Sequence, residues 1–404
     1  MIREFLSNLL FNTALGNGFY SDFTIYTLFA CILFFIVSFF LIKIEDFLDV
    51  KIYYGFAFFL SAITTLNVLR YRPYGGDAQI YCELVDLSKS SNLSFYNLDY
   101  KYTFNYPPFF KRVLEIFCNY GYEEHYYFYL FPFFVSFLLV TKQVNKNIPI
   151  NFIYMFGAFL GLRWVLKTGN LVILELIFLL FSVVLFKKES KLSYLFLILF
   201  GMQRLWFLIL VPFIYFLEKE EKFKKLFYIL SSTVFAIFIN LGLLVDFLNR
   251  HFNSATQYSV LTEMPGHNTP SIYLGIVRLL KLQSNVLILF LYVLISLYLI
   301  NLVIKKNQLG RNMSLTIFFF LVLIINPYMK PYHFIFFLPF LIFIDDKFLQ
   351  NKKNIIVAII LPNLFWIIFS NLSSGTYIGF VQLLFFILFT INLIQFEKKS
   401  IQHD

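Results

Sequence analysis

Long apolar runs separated by short, Lys-rich polar breaks make up most of the chain. The runs lie near 23–42, 52–69, 126–141, 150–166, 171–186, 226–245, 285–304, 313–327, 333–344, 355–370 and 377–396. A helix crossing a bilayer needs about 20 mostly apolar residues, and about 17 suffice, so the pattern predicts a series of spanning helices. The run 333–344 is too short alone and is expected to begin before His333 or end after Asp345. Segment 192–217 carries Gln203 and Arg204 in its middle and Lys-rich flanks on both sides. A single crossing would put one basic flank outside. A broken hairpin of two half-helices keeps both on the same face, and interrupted helices at membrane depth occur where they line a cavity or are buried in protein.

Composition sharpens this picture. The chain has 404 residues, of which 59% are hydrophobic and only 14% charged, against roughly 25% charged in soluble domains. A soluble protein of this size cannot hide so much apolar surface, which excludes disorder, a secreted disulfide scaffold and a cytosolic enzyme. The 57 Phe and 27 Tyr read largely as nucleotide bias, since Phe and Leu are near equivalents against lipid. The expected fold is therefore an all-α polytopic membrane protein, a single integral-membrane unit over 1–404 with about 11–13 transmembrane helices.

The net charge of +10 is read as a topological label. Placing 43–51, 142–149, 187–191, 218–225, 305–312, 345–354 and the C-terminus in the cytoplasm puts 19 Lys/Arg on short loops. The opposite side receives 12, six of them in one long loop that the positive-inside rule discounts. The long loops 70–125 and 246–284 are then extracytoplasmic, as is the N-terminus, with 1–11 lying on the surface as an amphipathic piece. No cleavable signal peptide is evident. Cys82 and Cys118 share the first long loop; they either pair, if that loop faces an oxidising compartment, or are two unrelated thiols. Cys31 lies in an apolar run.

Candidate chemistry gathers on that outer side. Gly75-Gly76 permits close ligand approach and places Asp77 at the water–lipid boundary, where low-dielectric surroundings suit a general base. Asp77 equally suits the cap of a helix over 78–87, and the two roles are compatible. Tyr106-Pro107-Pro108 fixes an extended turn that starts an interfacial helix; its aromatic neighbours suit sugar faces or a membrane interface. Ionisable groups inside a membrane are costly and are functional candidates, here Arg163, Lys167, Glu175 and Arg204. Lys167 can snorkel, and Glu175 either partners Arg204 or faces a cavity. Two further polar knots face outward, at 264–271 with Arg278 and Lys281 downstream, and at 326–333. A cation pair of Lys330 and His333 can grip a phosphate while a carboxylate takes a proton, although a lone His at a span end also reads as a satisfied interfacial residue. The sequence carries no P-loop, dinucleotide glycine signature, metallopeptidase motif or zinc-spaced Cys pair, and no basic patch interleaved with aromatics for nucleic acid.

The order of these features resembles the C-type integral-membrane glycosyltransferases, most closely glycosyltransferase family 87, the polyprenyl-phosphate-mannose-dependent mannosyltransferase-like proteins. The resemblance rests on Asp77 with Tyr81, Tyr106-Pro107-Pro108, Gly169-Asn170, Asn268 with Ser271 and Arg278, and Asn326-Pro327 through His333, in order from about 70 to 341. The chain departs from the family in an extra apolar span before the Asp loop, in Arg204 where a Lys closely followed by Pro is commoner, and in a late loop without the usual paired aromatic and His run. The resemblance implies a C-type glycosyltransferase-like bundle that transfers mannose or another hexose or pentose from a polyprenyl phosphate to a lipid-linked or glycan acceptor. Transfer would take place on the outer face of the bacterial cytoplasmic membrane. Asp77 would be the base of an inverting displacement, with Lys330, His333 and Arg278, and less so Arg204 or Arg163, on the donor phosphate. Tyr81, Tyr106, Asn170 and Asn268 would contact substrate. It implies no cofactor beyond the donor and no obligatory divalent metal. The rival readings are an O-antigen polymerase or ligase, which uses a diphosphate-linked donor, and a lipid-linked saccharide flippase, which would want a charged central cavity and related halves.

Overall fold

A computed structural model describes residues 49–70, 76–90, 107–121, 131–143, 146–217, 222–249, 271–273, 276, 286–327, 329–369 and 375–403. Regular structure among them is entirely helical. The elements are α1 (Val50–Arg70), α2 (Gly76–Ser90), α3 (Pro108–Asn119), α4 (Phe131–Gln143), α5 (Ile148–Gly157), α6 (Gly161–Thr168), α7 (Val172–Lys187), α8 (Ser193–Gln203), α9 (Leu210–Leu217), α10 (Lys222–Ile239), α11 (Val286–Asn307), α12 (Arg311–Ile324), a 3-10 helix (Pro331–Ile342), α13 (Asp346–Leu349), α14 (Lys352–Ile355), α15 (Leu361–Phe369) and α16 (Gly375–His403). Two helices, over Leu287–Asn307 and Val381–Ser400, are long and apolar enough to cross a membrane. The apolar run 23–42 and most of loop 246–284 lie outside the described residues.

Four of the expected spans are not simple α-helices; one of them, 355–370, passes through a π-helical turn at Ile356–Ile360. The run 150–166 divides at Phe159, whose φ is +49°, a conformation that costs a non-glycine residue of order 1–3 kcal/mol. Packing offsets that cost: the fully buried Phe159 ring meets Phe334, Phe337, Phe386 and Phe389 at centroid distances of 5.1–6.1 Å. The kink also releases backbone acceptors. Asn363, itself buried, donates from Nδ2 to Gly157 O at 2.9 Å and Ile359 O at 2.7 Å, and its Oδ1 accepts from the Thr64 hydroxyl at 2.6 Å. One amide thereby ties α1, α5 and α15 together.

The run 333–344 begins at Pro331, two residues early, and is wound as a 3-10 helix to Ile342. A 3-10 helix rises about 2.0 Å per residue, so 12 residues reach about 24 Å where an α-helix would reach about 18 Å. The tighter winding restores the length that the sequence lacks. Segment 192–217 breaks at Arg204, with φ −137° and ψ 83°, and continues through a 3-10 turn (Leu205–Ile209) into α9. The two halves pack against each other, and both pack against α10.

The main core fills the space between α1, α4–α8, α12, the 3-10 helix and α14–α16. A smaller core joins α2 and α3 to Leu171 and Phe247. Cys82 and Cys118 are disulfide-bonded across α2 and α3, and Phe109 N donates to Asn240 Oδ1 at 2.8 Å, which anchors α3 to the end of α10. By contrast α11 leaves Leu287, Phe290, Leu294, Ile295 and Tyr298 exposed, and α10 leaves Phe223, Phe227, Leu230, Val234 and Phe238 exposed.

Candidate active site

The site is built around Asn170. Helix α6 ends at Thr168 and Gly169 takes a left-handed φ of +68°, with its N–H on Val165 O at 2.9 Å. Glycine adopts this conformation without the Cβ penalty. The turn delivers Asn170 to the mouth of α7, where its Oδ1 accepts the Val172 N–H at 3.1 Å. A backbone N–H can only donate, so the orientation of the amide follows, and Nδ2 must face the other way. There it donates to Asp77 Oδ2 at 2.8 Å and to the Tyr81 hydroxyl at 3.2 Å. Asp77 and Tyr81 are one turn apart on α2, whose first turn holds Asp77. Because the helix starts at Gly76, Asp77 lies inside it and its carboxylate serves Asn170, not the cap of a helix beginning at residue 78.

Burial pushes the Asp77 carboxyl above the ordinary aspartate value of 3.8. The amide of Asn170, the Thr168 hydroxyl, and the charges of Lys330 and Arg204 pull it partly back. The last two locate the positive side of the site. Arg204, at the break of the 192–217 hairpin, binds Glu175 Oε2 through Nε at 3.0 Å, and its guanidinium carbon lies 5.8 Å from the centre of the Tyr332 ring. Glu175 is fully buried one turn into α7.

Lys330 and His333 sit at the head of the 3-10 helix. The Lys330 N–H donates to His333 Nδ1 at 3.1 Å. Nδ1 is therefore the acceptor nitrogen, and the ring presents its proton on Nε2. In this arrangement His333 offers a neutral N–H, not the imidazolium expected of a cation pair, and Lys330 and Arg204 carry the positive charge. The imidazole is buried, stacked on Phe336 at 5.6 Å. What brings it here is the approach of the 3-10 helix to α6 at Gly161, where a Cβ would stand 2.6 Å from Ile335 N.

Asp77, Tyr81, Asn170, Arg204, Lys330 and His333 thus converge on one site. Tyr106, Asn268 and Arg278 lie outside the described residues. Arg163 stands apart in the α6 interior, its guanidinium carbon 3.9 Å from the centre of the Trp366 ring. Thr168 and Tyr332 belong to the cluster and had no distinguishing signal: a Thr at a helix end and a Tyr before a His are common interfacial residues. Among the described residues no group of three or more His, Cys, Asp or Glu is arranged to hold a metal ion.

No protein-family model matches the chain, and neither a curated protein nor a solved structure matches it.

Proposed function

We propose that the chain is a multi-pass membrane glycosyltransferase that moves a sugar from a polyprenyl-phosphate donor to a lipid-linked or glycan acceptor at the extracytoplasmic surface. The observation that carries this reading is a partly buried carboxylate, Asp77, held by one oxygen and facing Lys330 and Arg204 at the ends of apolar helices. A carboxylate with a raised pKa accepts a proton from a hydroxyl more readily than an exposed one. Two cations and a neutral N–H nearby suit a phosphate that gains charge as it departs.

In the proposed reaction Asn170 occupies Asp77 Oδ2, and Oδ1 takes the proton of the acceptor hydroxyl. The acceptor oxygen attacks the anomeric carbon from the face opposite the lipid phosphate. The new glycosidic bond forms as the bond between carbon and phosphate oxygen breaks, with inversion. The electron pair of that bond leaves on the phosphate, toward Lys330, Arg204 and His333 Nε2–H. In this scheme the charge of Lys330 and Arg204 and the neutral N–H of His333 offset the leaving-group charge, without an obligatory divalent metal.

The multi-pass bacterial cytoplasmic-membrane reading draws on the exposed apolar faces of α10 and α11, which water would not tolerate at this size. The orientation draws on the Cys82–Cys118 bridge beside Asp77, since disulfides persist in oxidising compartments. The test is transfer by the purified protein in nanodiscs, given polyprenyl-phosphate hexoses and, separately, diphosphate-linked donors. Product from the monophosphate that is lost in Asp77→Asn is expected. Product only from the diphosphate donor would transfer the chain to the polymerase or ligase class. Lipid movement without any covalent product would make it a transporter.

A further inference from the structure

Around Arg204 lie two buried polar atoms that the proposed displacement does not use, on Glu175 and Gln203, beside one that it does, His333 Nε2. Glu175 is 0% exposed and gives Oε2 to Arg204, while its Oε1 has no hydrogen-bond partner among the described residues. Gln203, 5% exposed and next to Arg204 at the hairpin break, likewise has an Oε1 with no partner among the described residues. His333, 2% exposed and close enough to Arg204 to feel its charge, has an Nε2 with none. A buried polar group without a partner costs about 1–3 kcal/mol, so each of these three atoms calls for a partner that the described residues do not supply. Their polarities are also specific. Two are acceptors, which only hydroxyl or N–H donors can satisfy, and one is a donor.

We infer that Glu175 and Gln203, on the α7 wall and at the hairpin break, form the subsite that recognises the hydroxyl groups of the transferred sugar. The ligand chemistry follows from the protein atoms. Two acceptors of different charge, a carboxylate oxygen and an amide oxygen, bind two hydroxyl donors, while His333 Nε2–H bonds an oxygen of the same substrate. A bare lipid phosphate has acceptors only and leaves Glu175 Oε1 and Gln203 Oε1 unsatisfied. A glycosyl phosphate satisfies all three. Glu175 is then more than the counter-ion of Arg204: one of its oxygens fixes the cation and the other reads the sugar.

This inference rests on the proposed function, and the experiment separates the two. Binding of farnesyl phosphate and of its mannosyl and glucosyl esters is measured calorimetrically with the full chain in nanodiscs, for wild type, Glu175→Gln and Gln203→Leu. Glutamine at 175 keeps an oxygen for Arg204 and turns the second atom from acceptor into donor; Gln203→Leu leaves the ion pair alone. The wild type is expected to bind one glycosyl ester about 10-fold more tightly than farnesyl phosphate, as one or two charge-assisted hydrogen bonds would give. Each variant is expected to lose most of that gain; Gln203→Leu binds farnesyl phosphate within about 2-fold of wild type, and Glu175→Gln, which uncovers the Arg204 charge, binds it at least as tightly as wild type. A gain that persists in both variants overturns the subsite and leaves the proposed function standing. Equal weakening of both lipids also overturns it, because the loss would then be of the site as a whole. A wild type that binds none of these lipids overturns the proposed function and the subsite with it.

Discussion

Asn170 governs its neighbours because both donors of its amide are committed, to Asp77 and Tyr81, while its Oδ1 accepts the Val172 N–H. A donor on a carboxylate stabilises its charged form, so the amide lowers the Asp77 pKa while burial, the larger effect, raises it. The sign for activity follows. The base works only when ionised, so kcat/KM falls as pH drops through the Asp77 pKa. Asn170→Ala removes the amide's lowering effect and is expected to move the acid limb of the kcat/KM profile to higher pH. Asp77→Asn is expected to lower kcat by about 10²–10⁴-fold, the usual worth of a positioned base, and to abolish that limb altogether. An acid limb that stays in place in Asn170→Ala would mean that another group sets it.

The helices that hold these residues owe their irregularities to tertiary contacts, and this limits what the sequence discloses. The apolar runs mark where helices lie, and the polar residues at their outward ends mark Asp77, Asn170 and His333 as neighbours in depth. Nothing in 150–166 announces a kink at Phe159, because its positive φ is maintained by rings from 334, 337, 386 and 389 that are remote in sequence. The 3-10 winding of Pro331–Ile342 is equally invisible, as it reflects a fixed span to be covered with too few residues. Asn363 is similar: a lone Asn in an apolar run gives no hint that it donates to a carbonyl of a second segment and accepts from a hydroxyl of a third. Asn363→Leu is expected to cost about 1–3 kcal/mol, since it strands Gly157 O in a buried position while the Thr64 hydroxyl keeps Leu60 O as an acceptor. Gly161→Ala is expected to cost about 1–3 kcal/mol as an overpacking change, and it displaces the 3-10 helix that carries His333. Thermal unfolding in nanodiscs measures both. The Cys82–Cys118 bridge closes a separation of 36 residues, worth about 3–4 kcal/mol in the chain-entropy account. The Cys82→Ser, Cys118→Ser double variant is expected to unfold earlier by a corresponding amount.

Across the whole molecule two polar regions occupy opposite ends of the same rods. Helix α7 runs from beside Asn170 to Lys187, and 16 residues at about 1.5 Å each span about 24 Å. The 3-10 helix runs from beside His333 to Ile342, also about 24 Å by its rise. At their far ends Lys187, Ile342 and Phe343 line a groove of about 940 Å³ together with Lys146, Arg311 and Glu397. Apart from Met313, Ile342 and Phe343, the residues of that groove come from 142–149, 187–191, 305–312, 345–354 and the C-terminal helix, segments that the Lys/Arg bias assigns to the cytoplasm. A charge bias read from the sequence has no knowledge of folding, so its agreement with the convergence of these segments in space supports the proposed orientation, in which the groove and the Asp77 site lie on opposite sides of a bilayer. The hydrocarbon layer is about 30 Å thick, so in the proposed orientation rods of about 24 Å would place the site slightly below the outer surface, where a lipid-borne phosphate would meet Asp77. Single cysteines test this directly. In a background with Cys31→Ser, Ser90→Cys at the exposed end of α2 is expected to react with a membrane-impermeant maleimide in intact cells, whereas Ser400→Cys beside the groove is expected to react only after the membrane is opened. Reaction of both from the same side would remove the bilayer from between the site and the groove, and with it the argument for a lipid-fed site.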